Sequence, residues 1–172
     1  MQTQAGRAFR PRSFAVGLIS SAVFIGAASG LAIVAARHPP PAPLLVKWLP
    51  LALLLGVDAA AIFFTAIFVT MKYFVTDSQV ILRCGPFRWK IPIGDIRSIV
   101  ERNVGWLPIS EGWKLPGYAL FKIQCADVGP VRMCSTALTK RILLIDTGKE
   151  LWGMTPGDVE GFVAALNLKL GK

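Results

Sequence analysis

Asp58 is the residue whose position most demands a chemical explanation, because it is the single formal charge in an apolar run of about 23 residues, 49–71. A carboxylate near mid-membrane costs roughly 2.5 to 3.5 kcal/mol on insertion scales, so such residues pair with a polar neighbour or serve transport. Ser29, at comparable depth in the preceding apolar run, is the candidate partner. Two chemistries follow: an intramembrane Asp58–Ser29 contact, or ion or proton passage, which two helices can support only within an oligomeric channel or transporter. A second group, Arg83, Arg88 and Lys90, comes soon after that run and suits anionic lipid headgroups, although a solvated strand face would need no such role. A third, Trp106 and Trp113 with Glu111 and Lys114, lies in a segment rich in Gly and Pro. Exposed there, the aromatics would meet a partner or the membrane surface; folded back, they would lid the core.

Catalytic groups are scarce. The only histidine, His38, sits in a proline-rich stretch, so no Ser or Cys has a base, and there is no glycine-rich phosphate loop and no metal-ligand spacing. Nothing in the spacing pairs Glu101, Glu111 or Asp127. Cys84, Cys125 and Cys134 are odd in number and lack CxxC spacing, which points to buried thiols in a reducing compartment. An enzyme is therefore not expected, nor a metal or cofactor. The net charge of +9 is spread thinly without a basic run interleaved with aromatics, which argues against nucleic acid.

These groups must be positioned by two different kinds of structure. Hydrophobic residues make up 53% of the 172, charged ones only 17%, and the apolar excess lies almost wholly before residue 72, as in a membrane protein. Residues 49–71 make about 34 Å of helix, enough to cross a core of about 30 Å, with Lys47, Trp48, Lys72 and Tyr73 as interfacial anchors. Residues 13–36 carry no charge and form a first span. A cleaved signal peptide ending at Val34, Ala35 and Ala36 is the alternative, but its apolar core would normally be about 7 to 15 residues. Residues 1–12 are a basic flank and residues 37–48 a proline-rich loop on the far side. Small residues recur as Ala22, Gly26 and Gly30, and as Ala52, Gly56 and Ala60, a spacing that lets helices approach closely within a hairpin or between copies. The arginines at 7, 10 and 12, with Lys72, Arg83, Arg88 and Lys90, put both termini in the cytoplasm by the positive-inside rule.

From residue 73 to 172 the pattern changes to period two. Short runs rich in branched and aromatic residues, broken by turn formers such as Gly85 with Pro86 and Gly94 with Asp95, predict seven or eight antiparallel strands in a sandwich or barrel. Residues 103–117 interrupt the ladder. Thr155, Pro156, Gly157 and Asp158 read as a helix start with Thr155 as N-cap, followed by Val159, Phe162, Val163, Leu166 and Leu170 at helical spacing.

The stretches RCGPFRWKIPIGDIRSI and KELWGMTPGDVEGFVAAL, following two spans, resemble the bacterial pleckstrin-homology-like domains of small membrane proteins. The resemblance covers roughly residues 73–168. It implies a seven-stranded antiparallel barrel capped by a C-terminal helix, no enzyme activity, and a binding or scaffolding module at the cytoplasmic face of the bacterial inner membrane. Membrane lipids and a protein partner or second copy are the implied contacts. In eukaryotic members of this superfold, basic residues in the first strand–strand loop hold phosphoinositides. Here that loop, Thr76, Asp77, Ser78 and Gln79, has no positive charge, which argues against such binding.

Overall fold

The computed structural model describes residues 6–12, 15–37, 44–108, 111–115 and 117–171. The expected basic flank contains a strand, β1 (Arg7–Phe9). The two apolar runs form helices α1 (Ala15–Arg37) and α2 (Leu44–Val69), each holding a stretch long and apolar enough to cross a membrane, Gly17–Arg37 and Trp48–Val69. The second helix begins at Leu44 rather than residue 49, so part of the expected loop is helical; His38 and the remaining loop positions to residue 43 lie outside the described residues.

The two helices pack through Ala28 and Ala32 of α1 and Asp58 of α2, all buried. The small-residue stripes do not make this contact. Ala22, Gly26, Gly30, Ala52, Gly56 and Ala60 are all exposed, and a Cβ added at any of the three glycines would meet nothing within 4 Å.

After α2 come β2 (Lys72–Val75), β3 (Gln79–Cys84) and β4 (Phe87–Pro92), a meander that with β1 forms a four-stranded sheet in the order β1-β2-β3-β4. A single 3-10 turn at Ile93–Asp95 then sends the chain to a second layer. Its strands are β5 (Ser98–Arg102), β6 (Trp113–Leu115), β7 (Tyr118–Cys125), β8 (Gly129–Ser135), β9 (Ile142–Asp146) and β10 (Leu151–Met154), ordered β5-β9-β10-β8-β7-β6. The seven-stranded closed barrel is thus corrected to two sheets. Two strands come from segments that lack a readable alternation, β1 and β6, and β10 pairs in parallel with β8. The edges β1, β4, β5 and β6 leave the sheets unclosed.

The C-terminal helix is present as α3 (Val159–Leu170), burying Phe162 and Leu166. Its N-cap is Asp158, whose carboxylate accepts from Gly161 N at 2.8 Å. Thr155 is not the cap. It is buried, and its hydroxyl accepts from Thr136 N at 2.8 Å instead. Strand β9 reads as a continuous apolar run because both of its faces are covered: Leu143 and Ile145 enter the core between the layers, Ile142 and Leu144 a second cluster with Ile123, Val131 and Met133.

The main core crosses the boundary drawn at residue 73. Phe9, Ile67, Phe68 and Met71 belong to the same buried cluster as Tyr73, Leu82, Ile91, Leu143 and Phe162. The last turns of α2 are therefore part of the β domain's interior.

Candidate functional site

The region where the hairpin meets the domain gathers Tyr73 and Trp113 with residues from both ends of the hairpin. Both ends of the hairpin enter it. Ahead of α1, Phe9 pairs with Tyr73 across the β1–β2 ladder and sets its ring edge-on to Phe162 at 5.2 Å. Arg12 N donates to Thr155 O at 2.7 Å, Gly157 N to Arg10 O at 2.9 Å, and Thr136 Oγ1 to Arg12 O at 2.9 Å. At the end of α2, Tyr73 was expected as an interfacial anchor and is instead fully buried. Its hydroxyl donates to Cys134 O at 2.7 Å, and burial drives its pKa well above the ordinary tyrosine value. The contact of Cys134 with Cys84, together with burial, also raises the Cys134 thiol well above its usual range; all three cysteines are buried and free.

An aromatic seam joins helix to sheet. The Phe68 ring stacks on Tyr118 at 3.4 Å between centroids, and Phe64 meets Trp113 edge-on at 4.3 Å. Burial pushes the Tyr118 hydroxyl up to about 12. From Trp113 the seam continues to Phe121, 6.0 Å away, and from there to Phe87 at 5.0 Å and Trp89 at 5.9 Å. Phe121 holds φ at 68°, the left-handed region that a bulky side chain rarely occupies and that costs of order 1–3 kcal/mol. This departure turns its ring toward the Trp89 side, whereas Ala119 and Ile123, two residues to either side on β7, enter the second cluster.

The other sequence candidates separate. Trp113 sits on the hairpin, while Trp106 forms an isolated bridge with Cys125 and carries Lys114 Nζ 4.5 Å above its ring. Both tryptophans keep more than two-fifths of their surface exposed, so neither is a closed lid. Glu111 is exposed. Arg83, Arg88 and Lys90 come together on the outward face of β3 and β4, with Arg83 directly opposite Arg88. The loop after β2 carries an ion pair at its tip, Asp77 with Lys169 at 2.6 Å.

Inside the hairpin, Ser29 Oγ donates to Asp58 Oδ2 at 2.9 Å. Asp58 is about 16 Å along the helix from Val69, close to the middle of a bilayer core of about 30 Å. Its other oxygen, Oδ1, is buried and has no hydrogen-bond partner among the described residues. Also among the described residues, no three His, Cys, Asp or Glu side chains cluster as metal ligands would.

Sequence reading missed Phe9, Tyr118 and Phe121. Phe9 was the visible signal in the flank, a lone aromatic among arginines, and Tyr118 and Phe121 lay in a strand whose orientation only the fold decides. No curated protein and no solved structure matches the chain. A family model, the bacterial PH domain, matches residues 71–170, from the last core residue of the α2 end to the end of α3. That match covers more than half of the sequence, and the chain belongs to the bacterial PH domain family.

Proposed function

We propose that this protein is a membrane-tethered, non-enzymatic binding or scaffolding module whose PH domain works at the cytoplasmic face of the bacterial inner membrane. The observation that carries the reading is the shared core: with Ile67, Phe68 and Met71 inside the domain, the domain is held against the end of a helix apolar enough to span. Attachment of β1 to the same domain supports retention of the first span, since cleavage after residue 36 would remove a core strand. The partner surface favoured here is the one around the exposed Trp106, facing a protein partner or a second copy, with membrane lipids as the surroundings. Nucleic acid is not a partner in this reading. A phosphoinositide in the loop after β2 is disfavoured, because Lys169 there is already paired with Asp77.

Replacing Trp106 by a photoreactive phenylalanine in living cells tests the module. A discrete adduct, absent when the probe is placed at Lys149, is the expected result. Smears or no adduct at position 106 would contradict it.

A second reading makes the protein a subunit of a small oligomeric channel or transporter using Asp58. The orphan Oδ1 favours it, because a buried carboxylate oxygen without a donor costs more than a structural contact requires. Proton flux in vesicles abolished by both Asp58→Asn and Asp58→Leu would establish that reading; flux at background for the wild type removes it.

A further inference from the structure

We infer that the outward face of the four-stranded sheet, at the end next to α2, is a binding site for the phosphodiester headgroups of anionic glycerophospholipids. This rests on the membrane tether proposed above. Lys72 begins β2 just after α2 ends at Val69. Strand β3 returns the chain to the same end, and the β3–β4 turn reaches back alongside the helix: a Cβ on Gly85 would lie 3.2 Å from Ile67 Cα. Ile67 lies within the last turn of α2, so the turn is level with the end of the spanning helix and not beyond it. That is the depth of headgroups.

Three cations are aligned at this level. Lys72 stands opposite Arg83 in the β2–β3 register, and Arg83 opposite Arg88 in the β3–β4 register. Directly paired residues share a face, and their neighbours Tyr73 and Leu82 are buried with Trp89 half-buried, so the row points outward, where all three cations are exposed. Lys90 follows two positions along β4 on the same face. Like charges directly opposite on adjacent strands destabilise a sheet. Among the described residues none of these four joins an ion pair; the pairs there are Arg132–Glu150, Arg141–Glu101 and Lys169–Asp77. Among the described residues the row lacks a counter-anion, and an anionic lipid surface at its level would supply one.

The opposite end of the sheet differs. Asp77 sits past the far end of β2, five residues on from Lys72 at about 3.3 Å each, beyond the screening length of about 8 Å at physiological salt, and is paired with Lys169. The sheet is therefore polarised, positive toward the membrane. A lipid is preferred to a soluble phosphate because the turn lies beside Ile67, within the apolar helix.

The test uses the full chain in phosphatidylcholine vesicles, comparing association of spin-labelled phosphatidylglycerol with spin-labelled phosphatidylcholine. A Lys or Arg near an anionic surface contributes about 1 kcal/mol, or about fivefold. The wild type is expected to prefer phosphatidylglycerol, and R83Q/R88Q to lose about fivefold or more of that preference. R97Q/K149Q removes equal charge at the far end, where Arg97 N donates to Asp146 O at 2.8 Å, and is expected to leave the preference unchanged. In neutral detergent R83Q/R88Q is expected to melt no lower than the wild type, since it relieves opposed charges; a lower melt would mean that the arginines serve the fold and would overturn the inference. Equal losses in both double variants, or no preference in the wild type, would also overturn it. A chain stripped from the vesicles by alkaline carbonate would defeat the tether and the inference with it, whereas an embedded chain without preference defeats the inference alone.

Discussion

The helical hairpin and the β domain bury polar groups on opposite terms. In the domain, Thr136 and Thr155 bond each other, Thr136 also bonds the backbone ahead of α1, and Tyr73 bonds Cys134 O, so each of these buried hydroxyls has a partner. In the hairpin, Asp58 buries two carboxylate oxygens and only one receives a donor, from Ser29. An unmade buried hydrogen bond costs about 1–3 kcal/mol, so the domain's polar groups specify a fold while Asp58 leaves part of its demand open. The two regions nevertheless share one apolar core, and that sharing makes them a single mechanical unit.

The largest expected effect breaks this unit directly. A chain starting at residue 73 loses Phe9, Ile67, Phe68 and Met71 from the core. At about 1.5–3 kcal/mol for each large apolar side chain, the loss rivals the whole stability of a typical domain, about 5–15 kcal/mol. Such a chain is expected to show no cooperative thermal transition by circular dichroism, whereas the full chain in detergent does; a sharp melt of the short chain would separate hairpin from domain.

Within the domain, Phe162→Ala opens a cavity between α3, Phe9 and Tyr73 and is expected to cost about 3–5 kcal/mol, read from the denaturant midpoint. A shift under 1 kcal/mol would make α3 an appendage. In the hairpin the corresponding change is smaller. Asp58→Leu is expected to weaken helix association by about 0.6 to 2 kcal/mol, while Asp58→Asn, which can still bond Ser29, largely preserves it. Association in bilayers measured by energy transfer decides this, and equal behaviour of Leu and Asp would show that the carboxylate is merely tolerated.

The smallest effect concerns pH. Tyr73 and Cys134 have raised pKa values in the folded protein, so above the unfolded thiol value of about 8.5 the unfolded chain releases protons that the folded one keeps. Their stabilisation is complete below that pH and is lost progressively as pH rises toward the folded values. Unfolding midpoints between pH 7 and 10.5 should fall steadily, and Cys134→Ala should flatten the lower part of the decline. A flat profile in the wild type would show that the buried core does not hold these groups neutral.

Much of this was legible in the sequence because it was local. The two long apolar runs, the meander around Gly85 and Pro86, and the helical spacing of Phe162 and Leu166 follow from short-range periodicity. What escaped was set by distant partners. Strand β1 is three residues long, followed by Arg10 and Pro11, and its partner lies beyond both helices. Thr155 has the chemistry of an N-cap, but Thr136 claims its hydroxyl and the cap passes to Asp158. The parallel β8–β10 pairing and the reversal at Phe121 have no local signal at all. At the candidate site, alternation along β2 to β4 already put Lys72, Arg83 and Arg88 on outward positions; their alignment needed the register.

The claim that the domain rests on the cytoplasmic side of a two-helix hairpin is tested most directly by reporter fusions at three positions of the full chain: ahead of residue 6, after residue 42 and at the C-terminus. The account predicts fluorescent protein active at both termini and alkaline phosphatase active only after residue 42. Phosphatase activity from the C-terminal fusion would contradict the cytoplasmic placement, and opposite sides for the two termini would contradict the shared sheet, because β1 and β2 could not then pair at one face of the membrane.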